Sequence, residues 1–271
     1  MNQTEEKTAS SHRLRVSFAL LKEKMVNWKE FERCAKSEYK LDMIGYMVER
    51  DIASFGLKSG DITSNFALAY IPTQVPNNEA QDNAQDNYFW PEAPEAVGKH
   101  QAHVIITIQN DEKAPYASIL DAFANYAIVC SAVLSSQDAI GLYQWPTVYR
   151  PDMYKEFLDA ALGEGSYPLM NLVYLFIYKN EAGTQLYTEG MKFFDKPEIE
   201  VRDSDVPPSQ MLQVMMDLSG YVILDDVALN DGETIGFSTD QKFPISISKG
   251  IEIKGQTIKL KITAAEVAKC S

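Results

Sequence analysis

The sequence predicts an α+β protein of two lobes, each a mixed or antiparallel sheet with packed helices, and three observations lead there. Strand-like and helix-like stretches alternate along the chain. Turn pairs rich in glycine and aspartate separate several of the strand-like runs, as hairpins require. The chain has 271 residues, 45% of them hydrophobic, enough to bury one large core or two modest ones.

In chain order, residues 13–21, RLRVSFALL, are branched and apolar enough for a strand. Asn27 is placed to cap the helix that follows, with Glu30 at the third helical position as in a capping box. Residues 53–70, ASFGLKSGDITSNFALAY, hold a Ser-Gly-Asp turn between two strand-like runs and read as a hairpin ending near Pro72. The tandem AQDNAQDN at 80–87 reads as a helix surface or a solvated loop, and Tyr88, Phe89 and Trp90 are the residues to anchor it. HVIITIQ at 103–109 is a strand. The stretch YASILDAFANYAIVCSAVLS has the apolar spacing of a buried helix, expected to lie across the sheet of the second lobe. AIGLYQW is a strand, and Pro151 opens a helix that Gly163 and Gly165 stop. NLVYLFIYK and TQLYTEGMKFF pair around the turn NEAG. EIEVRD is a strand and SQMLQVMMDLSGYVIL a helix, and GETIGF, FPISIS and TIKLKI are β-like. The polar start MNQTEEKTASSH predicts a disordered tail over 1–12, an N-terminal lobe over 13–99 and a C-terminal lobe over 100–271.

One stretch of the second half, YTEGMKFFDKPEIEV at 187–201, stands out by placing a glycine and two phenylalanines before an alternating acidic strand. Gly190 there suits a bulge or a close backbone approach, and on a continuing strand Phe193 and Phe194 would point to opposite faces. Together with HVIITI, AIGLYQW, NLVYLFIY and LNDGETIG, it resembles the bacterial proteins of domain of unknown function 4261, over about 13–262 and most specifically in the second half. Thr188, Gly190, Met191 and Phe194 match that family's pattern, Glu198 and Glu200 follow on the strand, and Asp195 stands where a glycine is usual. The resemblance implies no enzymatic activity. It suggests an immunity role, because members resemble components of bacterial conflict systems.

A formal net charge of -13 opposes the phosphate neutralisation that drives nucleic-acid binding, so neither DNA nor RNA is an expected ligand. The same charge suits either solubility or a basic protein partner. The three cysteines, Cys34, Cys130 and Cys270, give no disulfide framework or CxxC metal site. No run approaches the ~18 consecutive apolar residues of a membrane span, and a cytoplasmic location is expected.

Phosphate-binding loops, dinucleotide fingerprints, HExxH, GxSxG and kinase signatures do not occur. His100 and His103 have a spacing compatible with one metal in a loop, and equally with backbone hydrogen bonds at a strand edge. Cys130 reads as a small apolar residue of the long helix, the other reading being a nucleophile with His103 as its base. No catalytic residue, metal ligand or cofactor is assigned.

The carboxylates singled out for binding are Glu198 and Glu200, alternating on one strand face as an outward recognition edge, and Asp231 and Glu233, flanking Gly232 in a turn. Two functions follow. One is a non-catalytic protein-binding module, such as an immunity protein neutralising a toxin or effector. The other is an enzyme or small-ligand binder that uses these carboxylates in a cleft between lobes.

Overall fold

The structure is a computed structural model that describes residues 14–85, 87–110 and 113–270, without the side chain of Cys270. The expected tail, with His12 and Arg13, lies outside the described residues. The chain forms two units, Met1–Ala84 with Ala93–Lys155 and Gln85–Glu92 with Glu156–Ser271.

The first unit is built on β1 (Leu14–Leu21), β2 (Ile44–Glu49), β3 (Ile52–Ser59), β4 (Ile62–Ile71), β5 (Ala102–Gln109), β6 (Ala139–Gln144) and β7 (Thr147–Tyr149). They form one sheet in the order β2-β3-β4-β5-β1-β6-β7, with every neighbouring pair antiparallel. The expected lobe boundary at 99/100 is therefore displaced. β5 lies between β4 and β1 and satisfies its backbone on both, so HVIITI belongs with the strands that precede it.

Helix α1 (Trp28–Ser37) begins as its sequence requires, with the Asn27 side chain accepting the Glu30 N–H at 3.0 Å. The capping box is only half made. The Glu30 carboxylate pairs with Arg33 at 2.6 Å instead of reaching back, and the Asn27 N–H donates to Gln137 Oε1 at 2.9 Å. Two short helices follow, α2 (Glu79–Asp82) and α3 (Ala93–Val97), and Ala80 and Ala84 turn the AQDN repeat's small side chains inward.

The apolar helix α4 (Tyr116–Ser136) packs on β1, β3 and β6 and against α1, not on the second unit's sheet as expected. Its 18-residue window of mean hydropathy 1.6 is long and apolar enough to cross a membrane, but 72% of that window is buried inside the fold. Its polar atoms are handled locally. The Tyr126 hydroxyl donates to Ser17 Oγ at 2.6 Å, and Ser17 donates to Gln144 Oε1 at 3.1 Å. The Arg15 guanidinium lies 6.0 and 5.8 Å from the ring centroids of Phe123 and Tyr126.

Helix α5 (Pro151–Gly163) starts on its proline and ends just before Gly165, whose φ is +67°; the division between units falls within it. The second unit then adds β8 (Tyr174–Asn180), β9 (Gly183–Glu189), β10 (Ile199–Ser204), α6 (Pro208–Leu224), β11 (Thr234–Ile235), β12 (Phe243–Lys249), β13 (Gln256–Leu260) and α7 (Ala264–Val267). The sheet order is β11-β12-β13-β10-β9-β8, antiparallel except for the parallel pair β10 and β13. Helix α6 packs on β8 and β9. The aromatic anchor after the AQDN repeat forms here, with Phe89 edge-on to Phe157 and Tyr174 while Trp90 is buried. Tyr88 stays exposed.

Burial pushes the Cys130 thiol up to about 12 and the Cys34 thiol up to about 11. Both thiols are expected to resist iodoacetamide in the native protein at pH 8 and to label fully in denaturant, as read by peptide mass. Rapid native labelling at Cys130 would contradict its packing.

Candidate functional site

The stretch from Tyr187 to Val201 is organised around one carboxylate. The strand β9 ends at Glu189, and residues Met191–Phe194 coil into a 3-10 turn. Phe193 and Phe194 therefore do not alternate along a strand as expected, and it is Phe194 that is buried. Gly190 has a φ of +127°, and a Cβ there would stand 2.4 Å from the Leu172 carbonyl oxygen, so the close approach read from sequence is real and admits no side chain. Asp195 adopts the left-handed conformation with φ +55°, which aspartate tolerates better than most residues.

Glu198, just before β10, is 6% exposed and closes this turn. Its Oε1 accepts the N–H groups of Gly190 at 2.9 Å and Lys192 at 3.2 Å, and its Oε2 accepts the Thr188 hydroxyl at 2.7 Å. Thr188 Oγ1 in turn accepts the Ile199 N–H at 2.8 Å. Burial, then the neighbouring Glu189 charge, push the Glu198 carboxyl above the usual 4.5 against the pull of these donors.

Glu200, on β10, is fully buried and holds a second loop. Its carboxylate accepts the consecutive backbone N–H groups of Ile251, Glu252 and Ile253 at 3.1 to 3.2 Å and pairs with the Lys259 ammonium. Three successive amides aimed at one anion form a nest, and here the protein supplies the anion itself. Burial pushes the Glu200 carboxyl up, but Lys259 and the Ile251 and Ile253 amides outweigh it and hold it below the usual 4.5. The outward acidic edge expected at 198 and 200 is thus corrected: both side chains face inward because each satisfies backbone donors that would otherwise be buried alone.

Asp231 and Glu233 lie elsewhere in the second unit, in an exposed turn. Asp231 Oδ1 accepts the Ile247 N–H of β12 at 2.7 Å, and Glu233 accepts from the Asn230 amide at 3.1 Å. Glu200 sits on β10 with β13 between it and β12, so no interaction joins the two pairs among the described residues. His100 donates through Nδ1 to the Val97 carbonyl at 2.6 Å and accepts the Val75 N–H on Nε2 at 2.8 Å, a pairing that requires the neutral ring. His103 Nδ1 bonds the Thr73 carbonyl at 2.8 Å. Burial holds both imidazoles below their ordinary value. This is the strand-edge, backbone-satisfying role read from sequence. The described residues contain no grouping of three metal-ligating side chains.

Sequence reasoning missed β2. It is an edge strand of its sheet, with β3 as its only described neighbour. Ile44, Met47 and Val48 are 44, 55 and 42% exposed, and Ile52 at the start of β3 is 50% exposed. A bulge separates Ile44 from Met47 in the pairing with β3. No charged residue interrupts the stretch from Ile44 to Val48, although charge is a usual guard of a free edge. A strand exposed along most of its length has no period-two burial pattern, which removes the signal that would have found it.

The profile of a family described as domain of unknown function (DUF4261) matches residues 187–261. The match is shorter than the likeness read over 13–262. No curated protein and no solved structure matches the chain.

Truncation of either buried carboxylate leaves its donors orphaned, so Glu198→Ala and Glu200→Ala are each expected to cost about 2–4 kcal/mol in urea titrations of the second unit. Asp231→Asn and Glu233→Gln should leave the midpoint unchanged. The pH dependences oppose each other. The raised carboxyl of Glu198 contributes stability that is fully present below 4.5 and lost as pH rises through its folded value. The lowered carboxyl of Glu200 contributes stability present above 4.5 and lost as pH falls through its folded value. Glu200→Gln should therefore flatten the acid limb of the stability curve, and Glu198→Gln should flatten the limb above it.

Proposed function

We propose that the protein is a non-catalytic protein-binding module that receives its partner along β2. The observation that carries this reading is the edge itself, where backbone groups without a strand partner among the described residues run beside the exposed side chains of Ile44, Met47 and Val48. An extended segment of a partner can add to such an edge, with main-chain bonds giving affinity and the apolar side chains giving selectivity. Exposed apolar side chains clustered on one edge mark contact surfaces more often than scattered ones do. The finer form of the proposal is an immunity-like role in which the partner is a toxin or effector neutralised by occupation. The family resemblance and a net charge of -13, suited to a basic partner, support it.

The alternative, an enzyme or small-ligand binder working through the four carboxylates, has less support. The Glu198 and Glu200 oxygens are already occupied by donors from their own unit, and a general acid or base needs an oxygen within reach of substrate.

The test is association kinetics with the purified product of the adjacent gene. Met47→Lys and Val48→Glu are expected to weaken binding at least about tenfold with an unchanged melting temperature, because each places a charge on the contact strand. Reversal of charge at Asp231 and Glu233 is expected to slow association at low salt only, since exposed charges are screened beyond about 8–10 Å. A partner that binds both β2 variants as tightly as the parent protein removes this edge from the interface.

A further inference from the structure

Independently of β2, the second unit contains a cleft of about 910 Å³ between the end of α5 with the connection that follows it, α6 and the segment around Ile235. Its walls are apolar, with Leu169, Val173, Leu212, Met216, Leu224 and Phe237 among them. A space of this size and character matches the general range of small-molecule sites. We propose that it binds an uncharged, elongated apolar molecule carrying one hydrogen-bonding group, which Ser219 receives.

Two features of α6 support this assignment, and neither is accounted for by folding. Ser219 lines the cleft, is 4% exposed, and its hydroxyl has no hydrogen-bond partner. A serine within a helix ordinarily bonds back to a carbonyl of the preceding turn, and a buried hydroxyl left unmade is costly. The oxygen itself is covered, so the hydroxyl has to turn about χ1 towards the lining for a ligand oxygen or N–H to complete it. Gly220, the next residue, also lines the cleft in the interior of α6, where glycine is the weakest former after proline. No positive φ requires it, and a Cβ there would meet only Leu169 Cδ1 at 3.8 Å, an ordinary contact. Glycine at this point keeps space open that any side chain would begin to fill.

The charges of the lining select the ligand class. Its ionisable side chains are Glu164, Asp217, Tyr167 and Tyr221, and among the described residues no lysine, arginine or histidine lines it. Asp217 is engaged by the Gln213 amide at 3.0 Å. A fatty carboxylate would lose its hydration there without gaining a counter-ion, whereas an alcohol, amide or ketone of the same length would not.

The experiment uses the full chain with diphenylhexatriene, an elongated hydrocarbon that fluoresces in apolar surroundings, and with decanol and decanoate as competitors at pH 8. Saturable fluorescence is expected, displaced by decanol and at least about tenfold less effectively by decanoate. Gly220→Leu intrudes on the cleft beside Ser219 and should weaken the signal at least about tenfold. Ser219→Ala should leave diphenylhexatriene affinity unchanged while weakening decanol by about fivefold, the size of one neutral hydrogen bond. This second variant keeps the proposal falsifiable if Gly220→Leu does not fold, since loss of a merely structural serine would move both ligands together. No saturable signal in the parent protein, equal competition by decanoate, or decanol binding unaffected by Ser219→Ala would each overturn it.

Discussion

The second unit depends on the burial of a carboxylate that its own backbone must satisfy. Once Glu198 is enclosed, its oxygens need donors, and those nearest are the amides of Gly190 and Lys192 and the hydroxyl of Thr188. Bringing them to one point ends β9 and forces the chain past the Leu172 carbonyl, where only glycine passes. It also returns the chain in a left-handed step at Asp195 into β10. Glu200 repeats the principle on the other loop, and close approach recurs there: a Cβ on Gly250 would lie 2.0 Å from the Ile253 carbonyl oxygen. Each acid satisfies donors that an apolar residue would strand, which is why two charges can sit in a core that would otherwise exclude them.

Most elements were legible because local and global preferences agree in them. Asn27 caps α1, Pro151 opens α5, and the Ser-Gly-Asp turn joins β3 to β4 as read. The acidic residues at 198 and 200 were misread for a specific reason. Alternation along a strand shows which side chains share a face, but only the donors around that face decide whether it is wet, and the donors to Glu200 come from residues about fifty positions away. The assignment of α4 to the wrong sheet has the same origin. Its apolar periphery says that it must be covered, not by which strands.

The features placed under function are those where sequence and stability disagree. A β2 edge without charge from Ile44 to Val48, an unpartnered Ser219 hydroxyl and a glycine in the interior of α6 each depart from what folding alone favours. None of them carries a recognisable motif. The motif that does stand out, from Thr188 to Glu200, is occupied with holding its own turn together, so the most recognisable part of the sequence is the scaffold.

The parallel contact between β10 and β13 carries a consequence for how the unit assembles. β10 cannot acquire that neighbour until everything from Asp205 to Gly255, including α6 and β12, has been threaded between them. The matched segment 187–261 contains this whole excursion but omits β8 and the Leu172 carbonyl against which Gly190 turns. The boundaries of the match therefore do not coincide with those of the sheet. A chain under synthesis has to hold β8, β9 and β10 as an incomplete layer until β13 emerges, because β13 is the strand that joins the two halves of the sheet.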